Sequence, residues 1–582
     1  MLSRSPFNLT SFVLAMTVLS CGAAFSQASA STSAEQVALQ RGNDALKKGD
    51  LTLARSECEK AVRLAPKDAA AQSALGWVLA LQGQSDAATE HLRAAVQTKP
   101  SNVNARLMLA SVLSQQGKSD GAEQELRAAI KIAPENAEVH RLLAKVLSPR
   151  SGDEALTEMQ RAVELEPKRA DIRDELGTIL AQRNRVQEAE SAFREAVRLD
   201  PNLELAHVHL GVEYLQTHNL DDAANDLALA IQLAPRHAEA HYYLAKVLAE
   251  QSKSAEALAE LRQAAALKPN WFELQVELGI ASQRAGDVDG AITAFNQALK
   301  LHPEDAELHN DLGLALVQKG DAESAIPQFQ SAMKLRPQDA SFRGNLAMAY
   351  MQLTNFDAAV TELEAAIKIA PGDPVLHYDL GLTYKLKDQL DKAVTEFQEA
   401  IRANPDLADA HYALGVLFWQ RGEFDNASDE LRKALQSKPD YAEAHYTLGT
   451  VYKQQGKLPE SASELREAIR LQPDFAGAHT TLAAVLRQSG DAEGAAAEAK
   501  EGARISASMN NLQAATVSTN SGKRLLAAGD LEGAITQFRS AIHSEPNYAA
   551  AHYQLGLALR QNGQAGEAKK EFEKASELDP QF

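Results

Sequence analysis

Histidine is the residue type whose placement in this chain most suggests a chemical site. Nine of the fifteen histidines recur at one place in a repeating sequence pattern: His140, His207, His241, His309, His377, His411, His445, His479 and His552. Imidazole binds zinc and moves protons, so such a series first suggests a metal site or acid–base catalysis. A metal ion needs several ligands at bonding distance, whereas equivalent residues of stacked helices lie roughly 8–10 Å apart. We therefore predict that these histidines pack against the adjacent helix, and we expect no metal and no cofactor.

Other residue patterns that carry chemistry are absent from the sequence. It contains no nucleophile elbow, no phosphate-binding glycine loop, no Cys-x-x-Cys and no His-Glu-x-x-His. Carboxylate pairs such as Glu362/Glu364 and Asp221/Asp222 are predicted to lie in turns or on solvated helix faces. No carboxylate pair stands in an apolar stretch that would shift its pKa. We expect that the protein is not an enzyme.

The charge of the chain restricts its partners. The formal net charge is −19. Nucleic-acid binding requires Lys and Arg to neutralise phosphates, so we expect no nucleic-acid partner. An acidic surface fits solubility and basic partners.

The first thirty residues resemble a secretory signal peptide. Arg4 is followed by an apolar run over residues 9–19 and by the small-residue site Ala28-Ser29-Ala30. We expect cleavage after Ala30 and a periplasmic or secreted protein. Residues 18–21 also resemble a bacterial lipobox, so the alternative is an outer-membrane lipoprotein with a lipid anchor at Cys21. The apolar run is short for a membrane span, and we expect no transmembrane segment after signal removal.

A repeat of 34 residues organises the rest of the chain, and residues 406–439 are a clear copy. Two apolar stripes at helical spacing are separated by a glycine and ended by Pro439. Successive repeat-ending prolines are 34 residues apart with two exceptions. The step from Pro134 to Pro167 is 33, so one residue is missing near residues 148–153. The step from Pro473 to Pro546 is 73, so one proline is absent and five residues are inserted within residues 505–514.

Small residues recur within each repeat at fixed places. The eighth place is usually glycine or alanine, and alanines follow twelve and nineteen places later, with a bulky residue between them. Small residues at these places let two helix backbones approach closely. Cys58 stands at one of the bulky places, so we predict a buried, inert thiol.

The residue that ends each first helix is predicted to adopt positive φ. Most repeats carry glycine there, which adopts this conformation without a Cβ clash: Gly49, Gly83, Gly117, Gly286, Gly320, Gly422, Gly456, Gly490, Gly529 and Gly563. Asn184, His218 and Asp388 tolerate positive φ well, whereas Ser252 and Thr354 fit it poorly.

The period, the Leu-Gly pair, both alanines, the bulky residue and the final proline resemble the tetratricopeptide repeat family. Sixteen repeats cover nearly all of residues 35–582: about fourteen in 35–504 and two in 515–582. We interpret 505–514 as part of an overlong helix, with a flexible linker as the alternative. The resemblance implies an all-α solenoid, a right-handed superhelix whose concave face is lined by first helices. It also implies binding of protein or peptide, and no chemistry.

The resemblance places the fifth residue of each first helix in the groove, where three consecutive repeats carry tyrosine. The residues predicted to bind a partner are Tyr378, Tyr412, Tyr446, Trp419, Lys385, Lys453, Gln420 and Gln454. Aromatic rings, amides and a few cations make a good peptide-binding lining. The alternative is that these residues are only family consensus. We expect the two lysines to make this stretch less repulsive to an acidic or neutral peptide.

Two functions are compatible with this sequence. The first is a non-catalytic exported scaffold that holds an extended peptide segment or a partner protein in its groove. The second is a structural subunit of a cell-envelope assembly or polysaccharide-export complex, bound through its outer surface or its ends.

Overall fold

The computed structural model describes residues 33–582. The predicted signal peptide, the cleavage site after Ala30 and the alternative anchor Cys21 lie outside these residues. The described chain forms 31 helices and no strand, in tandem helix–turn–helix order, which confirms the predicted all-α repeat architecture. It divides into two compact bodies between His302 and Pro303.

The N-terminal body contains sixteen helices. They are α1 (Ala34–Lys47), α2 (Leu51–Leu64), α3 (Ala69–Leu81), α4 (Ser85–Thr98), α5 (Val103–Gln115), α6 (Ser119–Ile132), α7 (Ala137–Leu147), α8 (Gly152–Leu165), α9 (Ala170–Gln182), α10 (Val186–Leu199), α11 (Glu204–Gln216), α12 (Leu220–Leu233), α13 (Ala238–Glu250), α14 (Ser254–Leu267), α15 (Phe272–Arg284) and α16 (Val288–Leu301).

The C-terminal body contains fifteen helices. They are α17 (Ala306–Lys319), α18 (Ala322–Leu335), α19 (Ala340–Gln352), α20 (Phe356–Ile369), α21 (Pro374–Leu386), α22 (Leu390–Ala403), α23 (Ala408–Gln420), α24 (Phe424–Ser437), α25 (Ala442–Gln454), α26 (Leu458–Leu471), α27 (Ala476–Gln488), α28 (Ala492–Ala527), α29 (Leu531–Ser544), α30 (Ala549–Gln561) and α31 (Ala565–Leu578).

The turns inside the helix hairpins confirm the predicted left-handed residues. All ten glycines have positive φ, between 72° and 90°. The five other residues share this conformation: Asn184, His218, Ser252, Thr354 and Asp388, with φ between 56° and 63°. The repeat near residues 148–153 is the exception in sequence and in structure. Its α7 has 11 residues rather than the usual 13 or 14, and the missing residue falls in the turn that leads to α8.

In most hairpins a large side chain of the second helix lies against a glycine of the first helix. Phe397 of α22 is fully buried, and a Cβ added to Gly381 of α21 would lie 2.7 Å from its ring. Cys58 occupies the same place in the first repeat, where burial raises the pKa of its thiol to about 11. The predicted burial is therefore confirmed, and the raised pKa disfavours the reactive thiolate.

Helix α28 is far longer than the others, with 36 residues. It is the second helix of one repeat and continues, without a turn, as the first helix of the next. Because α28 serves two repeats, the 31 helices of the described residues form sixteen helix pairs. Residues 505–514 are helical, and residues 506–514 are exposed at every position.

No helix among residues 33–582 is both long enough and apolar enough to cross a membrane.

Candidate protein-binding surface

The nine repeated histidines are held by the same two hydrogen bonds in every repeat. In each, Nδ1 lies 2.5–2.8 Å from a side-chain oxygen of the second helix: Glu158, Asp226, Glu260, Gln328, Glu396, Glu430, Glu464, Glu498 and Glu571. Nε2 lies 2.9–3.2 Å from the carbonyl oxygen of the proline six residues earlier. The prediction that these residues pack against the adjacent helix is confirmed.

The three predicted tyrosines occupy equivalent places on successive first helices, Tyr378 on α21, Tyr412 on α23 and Tyr446 on α25. Each is half-buried. The ring of Tyr412 lies 4.9 Å from that of Tyr441, and the ring of Tyr446 lies 4.7 Å from that of Phe475. Both partners belong to the next repeat. Each of these two rings is therefore braced from one side and keeps part of its surface in water.

Tyr378 has a different neighbour. Its ring centre lies 5.8 Å from that of Phe397, in the second helix of its own repeat. No aromatic residue precedes α23 at the place that Tyr441 and Phe475 occupy in later repeats, because the residue there is Leu407.

The other predicted residues follow one or two helical turns later. Trp419 is half-buried and packs with Tyr412 on a small core that contains Leu431. Lys385 and Lys453 are half-buried, whereas Gln420 and Gln454 are exposed. The tyrosines, the tryptophan and the lysines thus combine packing in the core with partial exposure, and the two glutamines are surface residues.

The sequence reasoning missed two aspartates and one tyrosine of this surface. The hydroxyl of Tyr441 is hydrogen-bonded to Asp409, and burial together with Asp409 raises the pKa of Tyr441. Asp409 also contributes to a raised pKa of Tyr378, after burial. Burial, with repulsion from Asp373, raises the pKa of Asp379 to about 6. The expectation that the two lysines make this stretch less repulsive to an acidic or neutral peptide did not include these carboxylates.

On the equivalent face of the N-terminal body, acidic and basic side chains form ion pairs with one another. Arg141, at the fifth place of its repeat, pairs with Glu175 at 2.6 Å and with Glu138 at 2.9 Å. Lys145 lies 2.9 Å from Glu175. Burial opposes ionisation of Glu175, but Arg141 and Lys145 outweigh it and lower its pKa to about 2. These charges satisfy one another, whereas Asp379 has no such cation.

Comparison with known proteins identifies the repeats. Family models described as tetratricopeptide repeat match residues 79–146 and 316–380, and residues 549–582. A third model of this description matches residues 39–103, 150–204, 209–270, 276–340 and 446–510, more than half of the chain. The chain belongs to the tetratricopeptide repeat (TPR) family. A model described as TPR repeat matches residues 386–422, 417–456 and 522–563 of this TPR protein. No curated protein sequence matches it.

Several solved structures are similar to this TPR protein. The APC/C hetero-tetramer Cut9-Hcn1 is 16% identical, with 82% of this chain and 99% of that chain covered and a TM-score of 0.35. YrrB, described as a TPR protein with an unusual peptide-binding site, is 23% identical, with coverages of 32% and 97% and a TM-score of 0.27. PilF of Pseudomonas aeruginosa is 22% identical, with coverages of 35% and 94% and a TM-score of 0.33. At these TM-scores the likenesses carry no argument about function.

Proposed function

We propose that this TPR protein is a non-catalytic scaffold that binds an extended segment of a partner protein along α21, α23 and α25. The observation that carries the proposal is the row of Tyr378, Tyr412 and Tyr446, which are half-buried at one place in three consecutive repeats. Tyrosine supplies a large contact area with few rotatable bonds, and a few such anchors carry most of the affinity of an interface.

The bracing of these rings supports binding rather than mere surface exposure. Tyr412 and Tyr446 rest on aromatic rings of the following repeat, so their orientations are set before a partner arrives. A side chain that is already ordered loses less conformational entropy on binding. The row therefore presents a preorganised surface.

We further propose that the bound segment carries a lysine or arginine. Asp379 is half-buried and has a raised pKa, because burial and Asp373 disfavour its charged form. A cation beside Asp379 and Asp409 would relieve this penalty, and the adjacent tyrosine rings attract cations as well. Lys438 already lies over the ring of Tyr441, with Nζ 4.3 Å from its centre.

The test compares two baits that differ at one residue. The wild-type chain and Tyr412→Ala are used to capture proteins from the native cell envelope, followed by mass spectrometry. Tyr553→Ala is the matched control, because Tyr553 occupies the same place in the last repeat, is also half-buried and also contacts aromatic rings. A partner of the tyrosine row is enriched on wild type and on Tyr553→Ala and is lost on Tyr412→Ala.

The affinity of the captured partner for each variant then shows whether these residues bind the partner or only pack the core. We expect Tyr412→Ala and Trp419→Ala each to cost about 2 kcal/mol of binding, a loss of roughly thirtyfold, with little change in melting temperature. Unchanged affinity in both variants would refute the site. Binding lost in proportion to stability would show that these residues only pack the core. A partner retained on all baits would instead bind elsewhere, as expected of a structural subunit of an envelope complex.

Export is part of the same proposal and rests on the sequence of residues 1–30. N-terminal sequencing of the native protein should begin at Ser31. A blocked, lipid-modified N-terminus at Cys21 would establish the lipoprotein alternative, and an intact Met1 would refute export.

A further inference from the structure

The repeat formed by α15 and α16 lacks a bulky core residue that fourteen other repeats have; the first repeat, with Ala45, is the other exception. In fourteen repeats the residue three places after the small eighth residue is large: Leu79, Leu113, Leu147, Leu180, Tyr214, Leu248, Leu316, Tyr350, Tyr384, Phe418, Tyr452, Leu486, Leu525 and Leu559. In the α15–α16 repeat this residue is Ser282. Its side chain is 1% exposed, and its Oγ has no hydrogen-bond partner.

A second truncation enlarges the space that Ser282 leaves. The histidine of nine other repeats is here Gln275, which donates to the carbonyl oxygen of Pro269 at 3.1 Å. The carboxylate that the histidine would meet nineteen residues later is here Ala294. Ser282, Gln275 and Ala294 all line a pocket of about 640 Å³. Pockets of this size are typical of small-molecule sites.

Another repeat of this chain shows which side chain fills the position of Ser282. Tyr214 is the counterpart of Ser282 two repeats earlier, and its hydroxyl accepts a hydrogen bond from Nε of Arg194 at 2.8 Å. The guanidinium carbon of Arg194 lies 5.4 Å from the centre of the tyrosine ring. Tyr384 repeats the contact, since its hydroxyl donates to Glu364 at 2.9 Å. In both cases the partner stands twenty residues before the tyrosine.

Arg262 occupies that partner position for Ser282 and lines the pocket. Arg194 uses Nη2 for Glu190 at 2.7 Å, and Arg262 likewise uses Nη2 for Asp287 at 2.5 Å. Arg262 of α14 thus provides the arginine of a tyrosine site next to Ser282, while the ring itself is missing.

We infer that the Ser282 pocket binds the ring of a small phenol. The ring takes the place that tyrosine fills at residue 214, between apolar side chains that include Ala265, Leu278 and Ile292. The phenol oxygen accepts a hydrogen bond from Arg262.

The test measures phenol and benzene binding to the mature chain by calorimetry and by thermal unfolding. Phenol should raise the melting temperature of wild type and bind about tenfold more tightly than benzene, because only phenol accepts from Arg262. Arg262→Leu should bind phenol and benzene about equally. Ser282→Tyr should fill the pocket, melt above wild type without ligand and lose at least about tenfold in phenol affinity.

Tyr214→Ser is the matched gain-of-site variant, because it creates the same vacancy beside Arg194. It should melt below wild type and bind a second equivalent of phenol. Three results would each overturn the inference: equal binding of phenol and benzene by wild type, undiminished phenol binding by Ser282→Tyr, or no phenol binding by wild type at all. Binding of N-acetyl-tyrosinamide without binding of phenol would also overturn it, since the group recognised would then be a peptide tyrosine.

Discussion

A histidine with both ring nitrogens facing oxygen acceptors has to be positively charged to satisfy both. His411 places Nδ1 2.5 Å from Glu430 and Nε2 2.9 Å from the carbonyl oxygen of Pro405. A neutral imidazole donates from one nitrogen only, so it would leave one of these contacts as two acceptors face to face. His411 therefore ties the start of α23 to α24, and its two contacts favour the charged ring.

We predict that thermal stability falls as the pH rises from about 6 to about 9. Burial alone would lower the pKa of His411, but the hydrogen bonds to Glu430 and to the carbonyl of Pro405 outweigh it and raise the pKa. Nearby Lys433 opposes the charge only weakly. A raised folded-state pKa stabilises the fold fully below the unfolded value of about 6.5, and this stabilisation is lost as the pH passes the folded value. The melting temperature, measured across this range, should decline.

His411→Gln is the control, because glutamine already occupies this place elsewhere in the chain. Gln72 donates to the carbonyl oxygen of Pro66 at 2.7 Å and does not titrate. The variant should show a shallower decline with pH than wild type. A melting temperature that rises over the range, or a decline that His411→Gln leaves unchanged, would contradict the prediction.

Thr354 is a residue under backbone strain. Its φ is 57°, a left-handed conformation that a β-branched side chain disfavours. We predict that Thr354→Gly raises the free energy of unfolding by about 1 kcal/mol, as measured by chemical denaturation. Gly422→Thr, at the equivalent turn with φ 75°, should lower it by a similar amount. Equal stability of both variants and wild type would argue against strain at this turn.

Within the helix pairs, the residue at the eighth place limits which residue can stand sixteen places later. Every repeat with phenylalanine at the later place has glycine at the earlier one: Gly177/Phe193, Gly279/Phe295, Gly313/Phe329, Gly381/Phe397, Gly522/Phe538 and Gly556/Phe572. No repeat with alanine at the earlier place has phenylalanine at the later one, and three have leucine: Ala110/Leu126, Ala245/Leu261 and Ala347/Leu363. An added Cβ would meet the phenylalanine ring at 2.3–2.7 Å, so the pairing follows from the distance between helices.

We predict that Gly381→Ala and Phe397→Leu partly compensate each other. The first should destabilise by about 1–3 kcal/mol through overpacking, and the second through a cavity beside glycine. The double variant reproduces the alanine–leucine pair of other repeats and should be more stable than the sum of the two effects allows. A double-mutant cycle by denaturant unfolding measures this coupling, and simple additivity would contradict the matched packing.

For helix α28, the spacing of the prolines locates the inserted residues but does not give the length of the helix. The sequence placed five extra residues in 505–514, where the structure is helical. Helix propensity favoured an overlong helix over a linker there, but the structure was needed to show that this helix continues to Ala527 as the first helix of the next repeat. Met509 and Leu512, 60% and 46% exposed, show that no neighbour packs on this part of the helix.

The spacing of small residues and prolines was enough to predict the helices, the left-handed turns and the packing of the histidines, because each depends on neighbours within one repeat. The candidate surface depended on contacts between repeats. The bond of Tyr441 to Asp409 joins residues from two repeats, and no periodicity of the sequence signals it. The sequence shows that Ser282 replaces a residue that is bulky in most repeats. The inference of a ligand site there depended on the contact of Tyr214 with Arg194, which only the structure shows.

On the scale of the whole molecule, packing is local along the chain. The helix pairs contact each other and the next pair, and no contact between distant repeats is prominent within either body. The stability of such an array is close to a sum of repeat and neighbour terms. Different regions are then free to unfold at different denaturant concentrations, unlike a small domain with one core.

We predict that unfolding transitions reported by different tryptophans do not coincide. Trp77 lies in α3 and Trp271 directly before α15, whereas Trp419 lies in α23 of the other body. Three variants that each keep one tryptophan, with phenylalanine at the other two positions, should show different fluorescence midpoints in urea. Circular dichroism of the same samples should give a broad transition that spans them. A single shared midpoint would show that the array unfolds as one cooperative unit.

The matched pairs of small and large residues also limit how such a chain can change by recombination. A crossover between two repeats that falls inside a helix hairpin can join an alanine at the eighth place to a phenylalanine sixteen places later, and the product would clash as Gly381→Ala is expected to. A crossover near the repeat-ending prolines exchanges both members of a pair together. Duplication and exchange of this gene are therefore expected to be tolerated at boundaries such as Pro405 and Pro439, so that whole hairpins are the units of inheritance.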